Sequence, residues 1–406
     1  MNFESVYKQL FDWCAARDFA GSDPFDGLNS RIFQAAPLKN STAARLVVLQ
    51  TIKRSPFDLR RVLKVPAGTN SKGVALFALA ELARFRATKN ETHKKNVRYL
   101  LDKLDALKTK GQRTKDKKQK TSFGYNFDWQ SRAFFAPRGT PTIVPTAFAA
   151  RAYIEAHQAF ESEPEAAATG LKLNYLETAR EICEFIVADL NRSFETANEI
   201  CFSYTPLDRS IIFNASLLAG ETLAFVGAID QNRAWLESAE KSARFVINRQ
   251  DRRGAWAYGA KLRHKWVDNF HTAFILASLW RMKPFLPELN RQIQTAVARG
   301  FDFWVENLFL PGGTPKYYDS KTFPVDIHSA AAAIAALCDL KDLDERALPL
   351  AETVANWTIA NMRDPAGFFY YQKHRFYTNK TAFMRWGQAW TAFALARLLE
   401  SQNRLR

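Results

Sequence analysis

Residues 313–337 read GTPKYYDSKTFPVDIHSAAAAIAAL, a short stretch of Gly, Pro and aromatic residues that runs into a helix of small apolar side chains. The helical half is apolar all the way round, and a helix without a polar face must be covered on every side. The pattern occurs five more times. It starts from Val65 (VPAGTNSKGVALFALAELARF), Gly124 (GYNFDWQSRAFFAPRGTPTIVPTAFAARAY), Cys201 (CFSYTPLDRSIIFNASLLAGETLAF), Gly254 (GAWAYGAKLRHKWVDNFHTAFILASLW) and Gly367 (GFFYYQKHRFYTNKTAFMRWGQAWTAFALARLL). With Asn70, Pro145, Asn214, Asn269, Asp326 and Arg385 as helix entries, the intervals are 75, 69, 55, 57 and 59 residues. Such a period marks a repeat architecture.

Between these units lies a second kind of helix, as in NYLETAREICEFIVADL from Asn174 and NRAWLESAEKSARFVINR from Asn232. In the latter, Trp235, Ala239, Ala243 and Val246 fall on one face of a 3.6-residue period. Six helices buried all round, alternating with six that are half-buried, predict two concentric rings. The expected fold is all-α, an (α/α)6 toroid of six helical hairpins forming a single domain over residues 1–406. A basic, mobile loop at residues 103–122 is expected between early hairpins. No alternating run is long enough for a substantial sheet.

The 406 residues carry 57 Lys and Arg against 41 Asp and Glu, a net +16, with 47% hydrophobic residues. This composition excludes a wholly disordered chain. The four cysteines (Cys14, Cys183, Cys201, Cys338) form no C-x-x-C pair, which argues against a zinc module or a disulfide scaffold. No metal or cofactor is expected. The opening MNFESVYKQLFDWCAARDF lacks an apolar leader core and no apolar run reaches ~18 residues, so a cytoplasmic protein without a transmembrane segment is expected. Between Lys103 and Lys120 stand eight bases and two acids, +6 in one segment. That charge suits a solvated loop, or a collar that attracts a polyanion. With no interleaved aromatics, zinc finger or RNP motif, nucleic acid is not the expected partner; an acidic polysaccharide or oligosaccharide is.

The repeat resembles the six-hairpin and terpenoid-cyclase-like toroids over roughly residues 40–400. That group includes six-hairpin glycosidases, toroidal polysaccharide lyases, the helical domain of glucuronyl C5-epimerases, squalene-type cyclases and protein prenyltransferases. Gln250, Gly254 and Trp256 in QDRRGAW look like the Q-W pattern of the cyclases, which ties repeat ends together. The cyclases' D-x-D-D motif and the prenyltransferases' Asp-x-Cys pair have no counterpart here, which leaves carbohydrate chemistry.

The resemblance implies that the loops entering the inner helices converge on one cavity. Polar and aromatic residues at those entries are therefore the candidates. In catalysis these are His271, Tyr204 and Tyr258, with Asp128, Asp208, Asp268 and Asp326 as possible sources of a carboxylate pair. In substrate binding they are Asn214, Asn269, His328, Arg385, Arg132, Lys265, Tyr125, Tyr318, Tyr371, Trp386 and Gln388. Asn and Asp at helix entries equally serve as N-caps, and the aromatics equally serve as core. His271 and His328 stand two residues after Asn269 and Asp326, in equivalent places at the heads of two inner helices. Tyr and Trp faces stack on sugars, while Asn, His and Arg neutralise a uronate carboxylate so that a His or Tyr moves the C5 proton. The expected function is a uronyl epimerase or lyase acting in polysaccharide biosynthesis or modification. The alternatives are a glycoside hydrolase with an Asp pair, or a glycan-binding scaffold without turnover.

Overall fold

The computed structural model describes residues 2–110, 119–130, 135–160 and 175–403. Six helices are buried on nearly every side: α4 (Ser71–Thr88), α6 (Ile143–Phe160), α8 (Phe213–Ile229), α10 (Asn269–Met282), α12 (Ile327–Asp339) and α14 (Trp390–Asn403). Each packs on the next and α14 packs on α4, which closes an inner ring. In α12 every residue from Ile327 to Cys338 is buried; the Ala-rich sequence lets neighbouring backbones approach closely, as a covered helix requires.

Five outer helices each follow their inner partner and pack against it: α5 (Glu91–Asp105), α7 (Tyr175–Asp189), α9 (Arg233–Ile247), α11 (Asn290–Leu308) and α13 (Ala347–Met362). The sixth outer position belongs to the N-terminal helix α1 (Phe3–Ala15), whose main packing partner is α14. Phe3, Val6, Tyr7, Leu10, Phe11 and Cys14 form its buried face, spaced as an amphipathic helix demands. The (α/α)6 toroid is therefore as expected, but the ring begins at residue 3 rather than near residue 40. α14 ends at Asn403, so the outer helix that covers it comes from the other end of the chain. Residues 31–54, with α2 (Arg31–Ala35) and α3 (Thr42–Arg54), lie outside the ring. They rest on the loops at the entry end, through Gln34 to Asp128 (3.2 Å) and Arg45 to Gln130 (2.8 Å).

Among the described residues the strands are short ribbons, and Val325–Asp326, Gln372–Lys373 and Thr378–Asn379 form the one with three strands. The QDRRGAW segment does tie repeat ends. Gln250 donates to the carbonyls of Gly254 (2.9 Å) and Ala296 (2.8 Å), and the Trp256 indole donates to Val246 (2.8 Å). Gly254 has φ +93°, and a Cβ there would collide with the Arg299 carbonyl. All four cysteines are buried and unpaired. Among the described residues no helix is long and apolar enough to cross a membrane.

At the C-terminal end of the inner ring, all six inner helices contribute to one ion-pair network. Arg86 meets Glu155 (2.7 Å) and Glu400 (2.8 Å), and Arg151 meets Glu155 (2.7 Å). Arg281 bridges Glu221 (2.6 Å) and Asp339 (2.5 Å), and Arg397 bridges Asp339 (2.6 Å) and Glu400. Four guanidiniums face four carboxylates. The Arg pairs hold Glu155 down to about 2 and Asp339 below the carboxylate range, against the upward push of burial.

Candidate active site

The opposite end of the ring holds a cavity of about 460 Å³, a usual size for a small-ligand site. Its floor follows a simple rule. The second residue of every inner helix lines it: Lys72 of α4, Val144 of α6, Asn214 of α8, Phe270 of α10, His328 of α12, and Arg385 of the π-helical turn Met384–Ala389 that leads into α14. Six parallel helices thus point their N-termini, with their partial positive charge, at one space.

Lys72 stands over three rings, 4.5 Å from Phe148, 5.0 Å from Trp390 and 5.4 Å from Phe274. It is 3% exposed and no carboxylate pairs with it among the described residues. Burial, and then the Arg385 charge, push its ammonium well below the usual lysine range. Arg385 is held by Asp23, Nε to Oδ2 at 2.6 Å and Nη2 to Oδ1 at 2.8 Å. This fork lifts its pKa despite burial and leaves Nη1 over for a ligand. Asn214 is 4% exposed, and its Oδ1 is buried without a hydrogen-bond partner among the described residues. An unsatisfied buried amide oxygen is costly and marks a place where a donor is missing.

Three imidazoles line the cavity, His264, His271 and His328, and the last two are anchored through Nδ1. His271 Nδ1 lies 2.6 Å from Asp268 Oδ2, while Asp268 Oδ1 caps the helix through His271 N (2.9 Å). His328 Nδ1 lies 3.1 Å from the Trp386 carbonyl. A carbonyl only accepts, so His328 Nδ1 carries the proton and Nε2 is the lone-pair nitrogen. Burial, then Lys72 and Arg385, push His328 well below its ordinary range and keep the ring neutral. The Phe270 ring touches both, 4.1 Å from His271 and 4.8 Å from His328.

The walls are aromatic. Tyr258 stacks on Trp266 (4.7 Å) and lies 4.5 Å from His271. Tyr125 stacks on Phe127 (5.1 Å), and its hydroxyl is 3.5 Å from that of Tyr204. Burial raises all three phenols, so they stay protonated and able to donate.

Of the residues expected from sequence, the cavity gathers His271, Tyr204, Tyr258, Asn214, His328, Arg385, Tyr125 and Trp386. The four aspartates stand elsewhere. Asp208 closes its own turn on Thr205 and Ser210. Asp128 accepts from Arg138 N and Gln34. Asp268 orients His271 from behind. Asp326 caps α12 and takes the Trp386 indole (2.9 Å) and Gln372 (2.7 Å); burial raises it to about 6. Asn269 is fully buried between the Trp304 indole (3.0 Å) and the Leu308 carbonyl (2.9 Å). Gln388 ties down Phe369. Tyr318, Tyr371 and Lys265 do not line the cavity, and Arg132 lies outside the described residues.

The two histidines are not in equivalent places either. The caps are Asp268 and Asp326, so His271 is the third residue of its helix and His328 the second. Sequence reasoning missed Lys72, Arg263, His264 and Trp266. For Lys72 a signal existed, because aligning the inner helices on their caps puts it in register with Asn214, His328 and Arg385. Of the 103–120 segment, residues 111–118 lie outside the described residues. Among the rest, Lys103, Lys108 and Lys120 pair with Asp18, Asp105 and Asp189 at 2.5–2.8 Å.

No protein-family model and no curated protein matches the chain. Solved structures do match. The cellobiose 2-epimerase of Bacillus thermoamylovorans aligns with TM-score 0.61 and 11% identity, over 83% of this chain and 88% of that one. The GH76 alpha-mannanase of Bacteroides thetaiotaomicron gives 0.60 and 12%, over 83% and 88%. An unsaturated glucuronyl hydrolase specific for heparin gives 0.55 and 12%, over 82% and 86%. At such identities what is shared is the toroid, on which different chemistries are built.

Proposed function

We propose that this protein is a carbohydrate-active enzyme that binds the terminal residue of an acidic saccharide and moves the proton on the carbon next to its carboxylate, as a uronyl epimerase or lyase does. The observation that carries this reading is the pair His271 and His328. Both are anchored through Nδ1, and both line a cavity that contains cations but no Asp or Glu among its described lining residues. Glycoside hydrolysis needs two carboxyl groups flanking the bond, and the aspartates considered for it are committed to turns and caps.

In the proposed reaction the uronate carboxylate sits against Lys72 and the free Nη1 of Arg385, with Asn214 Oδ1 accepting from a sugar hydroxyl. Neutral His328 takes the C5 proton through Nε2, and the electron pair moves into the carboxylate as an enediolate that the two cations stabilise. His271, polarised by Asp268, or the Tyr204 and Tyr258 hydroxyls return a proton from the other side for epimerisation. They protonate the leaving oxygen for elimination. The lower wall of the cavity is closed by Phe148, Phe274 and Trp390, and beyond them by the ion-pair network. That supports a chain end or a short oligosaccharide as substrate, rather than the interior of a polymer.

The test is incubation with uronate-containing and neutral oligosaccharides in deuterated water. Deuterium at C5 without cleavage identifies an epimerase, and an unsaturated end identifies a lyase. Deuterium at C2 of a neutral reducing sugar would replace the acidic substrate with an aldose. New reducing ends with no exchange would sink proton transfer altogether. His328→Asn, which keeps an N–H for the Trp386 carbonyl, is expected to slow exchange by about 10²–10⁴-fold at unchanged helicity.

A further inference from the structure

Among the described residues, thirteen large apolar side chains are exposed, and eleven of them lie in segments at the cavity mouth; Tyr99 and Ile229 are the exceptions. The most exposed are Leu262 (91%), Phe376 (89%), Phe57 (76%) and Val62 (73%). Three of them have basic neighbours, as in Lys261-Leu262-Arg263, Arg375-Phe376 and Arg61-Val62, while Phe57 stands between Pro56 and Asp58. The loops are held together at that end: Asn379, which closes the Phe376 ribbon, donates to the Ser55 carbonyl (3.0 Å) next to Phe57. Arg263 and His264 beside Leu262 line the cavity itself.

The charge is concentrated in the same place. Residues 31–64 contain eight bases and one acid, residues 257–267 three bases and no acid, and residues 371–380 three bases and no acid. One of these bases, Arg60, is buried against Asp26 (2.7 Å); without it the three segments carry a net +12, and residues 103–120 carry a further +6. A polyanion in solution would need the bases but would leave the apolar tips wet. A protein partner would cover an apolar patch free of charge, whereas here bases alternate with apolar tips, as at Lys261-Leu262-Arg263 and Arg375-Phe376. Isolated apolar side chains among bases match a surface with negative headgroups outside and hydrocarbon just beneath.

We infer that the mouth of the toroid docks on an anionic lipid bilayer, with Leu262, Phe376, Phe57 and Val62 entering the headgroup layer and the flanking bases pairing with lipid phosphates. The inference is independent of the reaction proposed for the cavity. It would place the opening against the membrane, where a lipid-linked saccharide is presented.

The full chain should co-sediment with phosphatidylcholine vesicles that contain phosphatidylglycerol, bind pure phosphatidylcholine vesicles far less, and be released by high salt. The double variant Leu262→Ser/Phe376→Ser should melt like the wild type, because both side chains are already in water, yet bind the anionic vesicles at least roughly tenfold more weakly. Equal binding to neutral vesicles would overturn the inference, as would a double variant that binds like the wild type. Tight, salt-sensitive binding of soluble polygalacturonate with no vesicle binding would assign the charge to a glycan instead.

Discussion

The two ends of the inner ring are made by the same six helices and are chemically opposite. At the C-terminal end four guanidiniums meet four carboxylates, and several of the groups are buried and doubly paired. At the N-terminal end, among the described residues, Lys72 has no carboxylate and Asn214 Oδ1 has no donor, and His328 is kept neutral. One end has its polar groups matched within the protein and the other leaves them for something else. Charge by itself does not distinguish a structural cluster from a site; the number of partners does.

The largest expected effect lies at the matched end. Asp339→Asn leaves Arg281 and Arg397 buried with part of their pairing gone, so it should lower unfolding free energy by about 3–5 kcal/mol in a urea titration. Anion binding in the cavity should be unchanged; a loss there would mean that the two ends are coupled. Next is Asp326, whose folded pKa of about 6 lies above the ordinary carboxylate value. A raised acid binds more protons when folded, so its contribution is full below about pH 4 and is lost as pH rises through 6. Relative to Asp326→Asn, the wild type should gain roughly 3 kcal/mol as pH falls across that window; a flat difference would break the assignment.

At the open end the sign reverses. Lys72→Met removes a buried lysine that meets no carboxylate among the described residues and should raise stability by about 1 kcal/mol at neutral pH while abolishing uronate binding. Because the folded pKa of Lys72 is lowered, its penalty is relieved as pH rises toward the free lysine value, so the stability gap to Lys72→Met should close there. Destabilisation by Lys72→Met would show that the three rings below it outweigh its desolvation. The smallest contrast is between two asparagines. Asn70 caps α4 through Lys72 N and Gly73 N, and Asn70→Ala should cost about 1 kcal/mol. Asn214→Ala, which loses no hydrogen bond at Oδ1, should leave the melting temperature in place and weaken ligand binding.

Much of this was legible in the sequence. HSAAAAIAAL can only be an inner helix, and the face of Trp235, Ala239, Ala243 and Val246 can only be outer. The helix entries offered Asn214, Asn269, His328 and Arg385 together, and of these Asn269 is buried between Trp304 and Leu308 instead. Capping, the plainer role considered for the acidic entries, is the role of Asp268 and Asp326. What escaped was non-local. Nothing in FESVYKQLFDWCA says that its apolar face fits beside a helix nearly 400 residues away, and Lys72 after an Asn-Ser cap looks like any solvated first turn. The off-by-one offset between His271 and His328 needed the caps, because one residue decides which side chain of a helix meets the axis.

The position of α1 has a consequence for synthesis. It is translated long before its principal partner α14 and before the Arg363 that reaches Gln9. Its apolar face therefore waits while the five intervening inner helices are translated, and the ring acquires its final wall only when α14 has been made and can meet it.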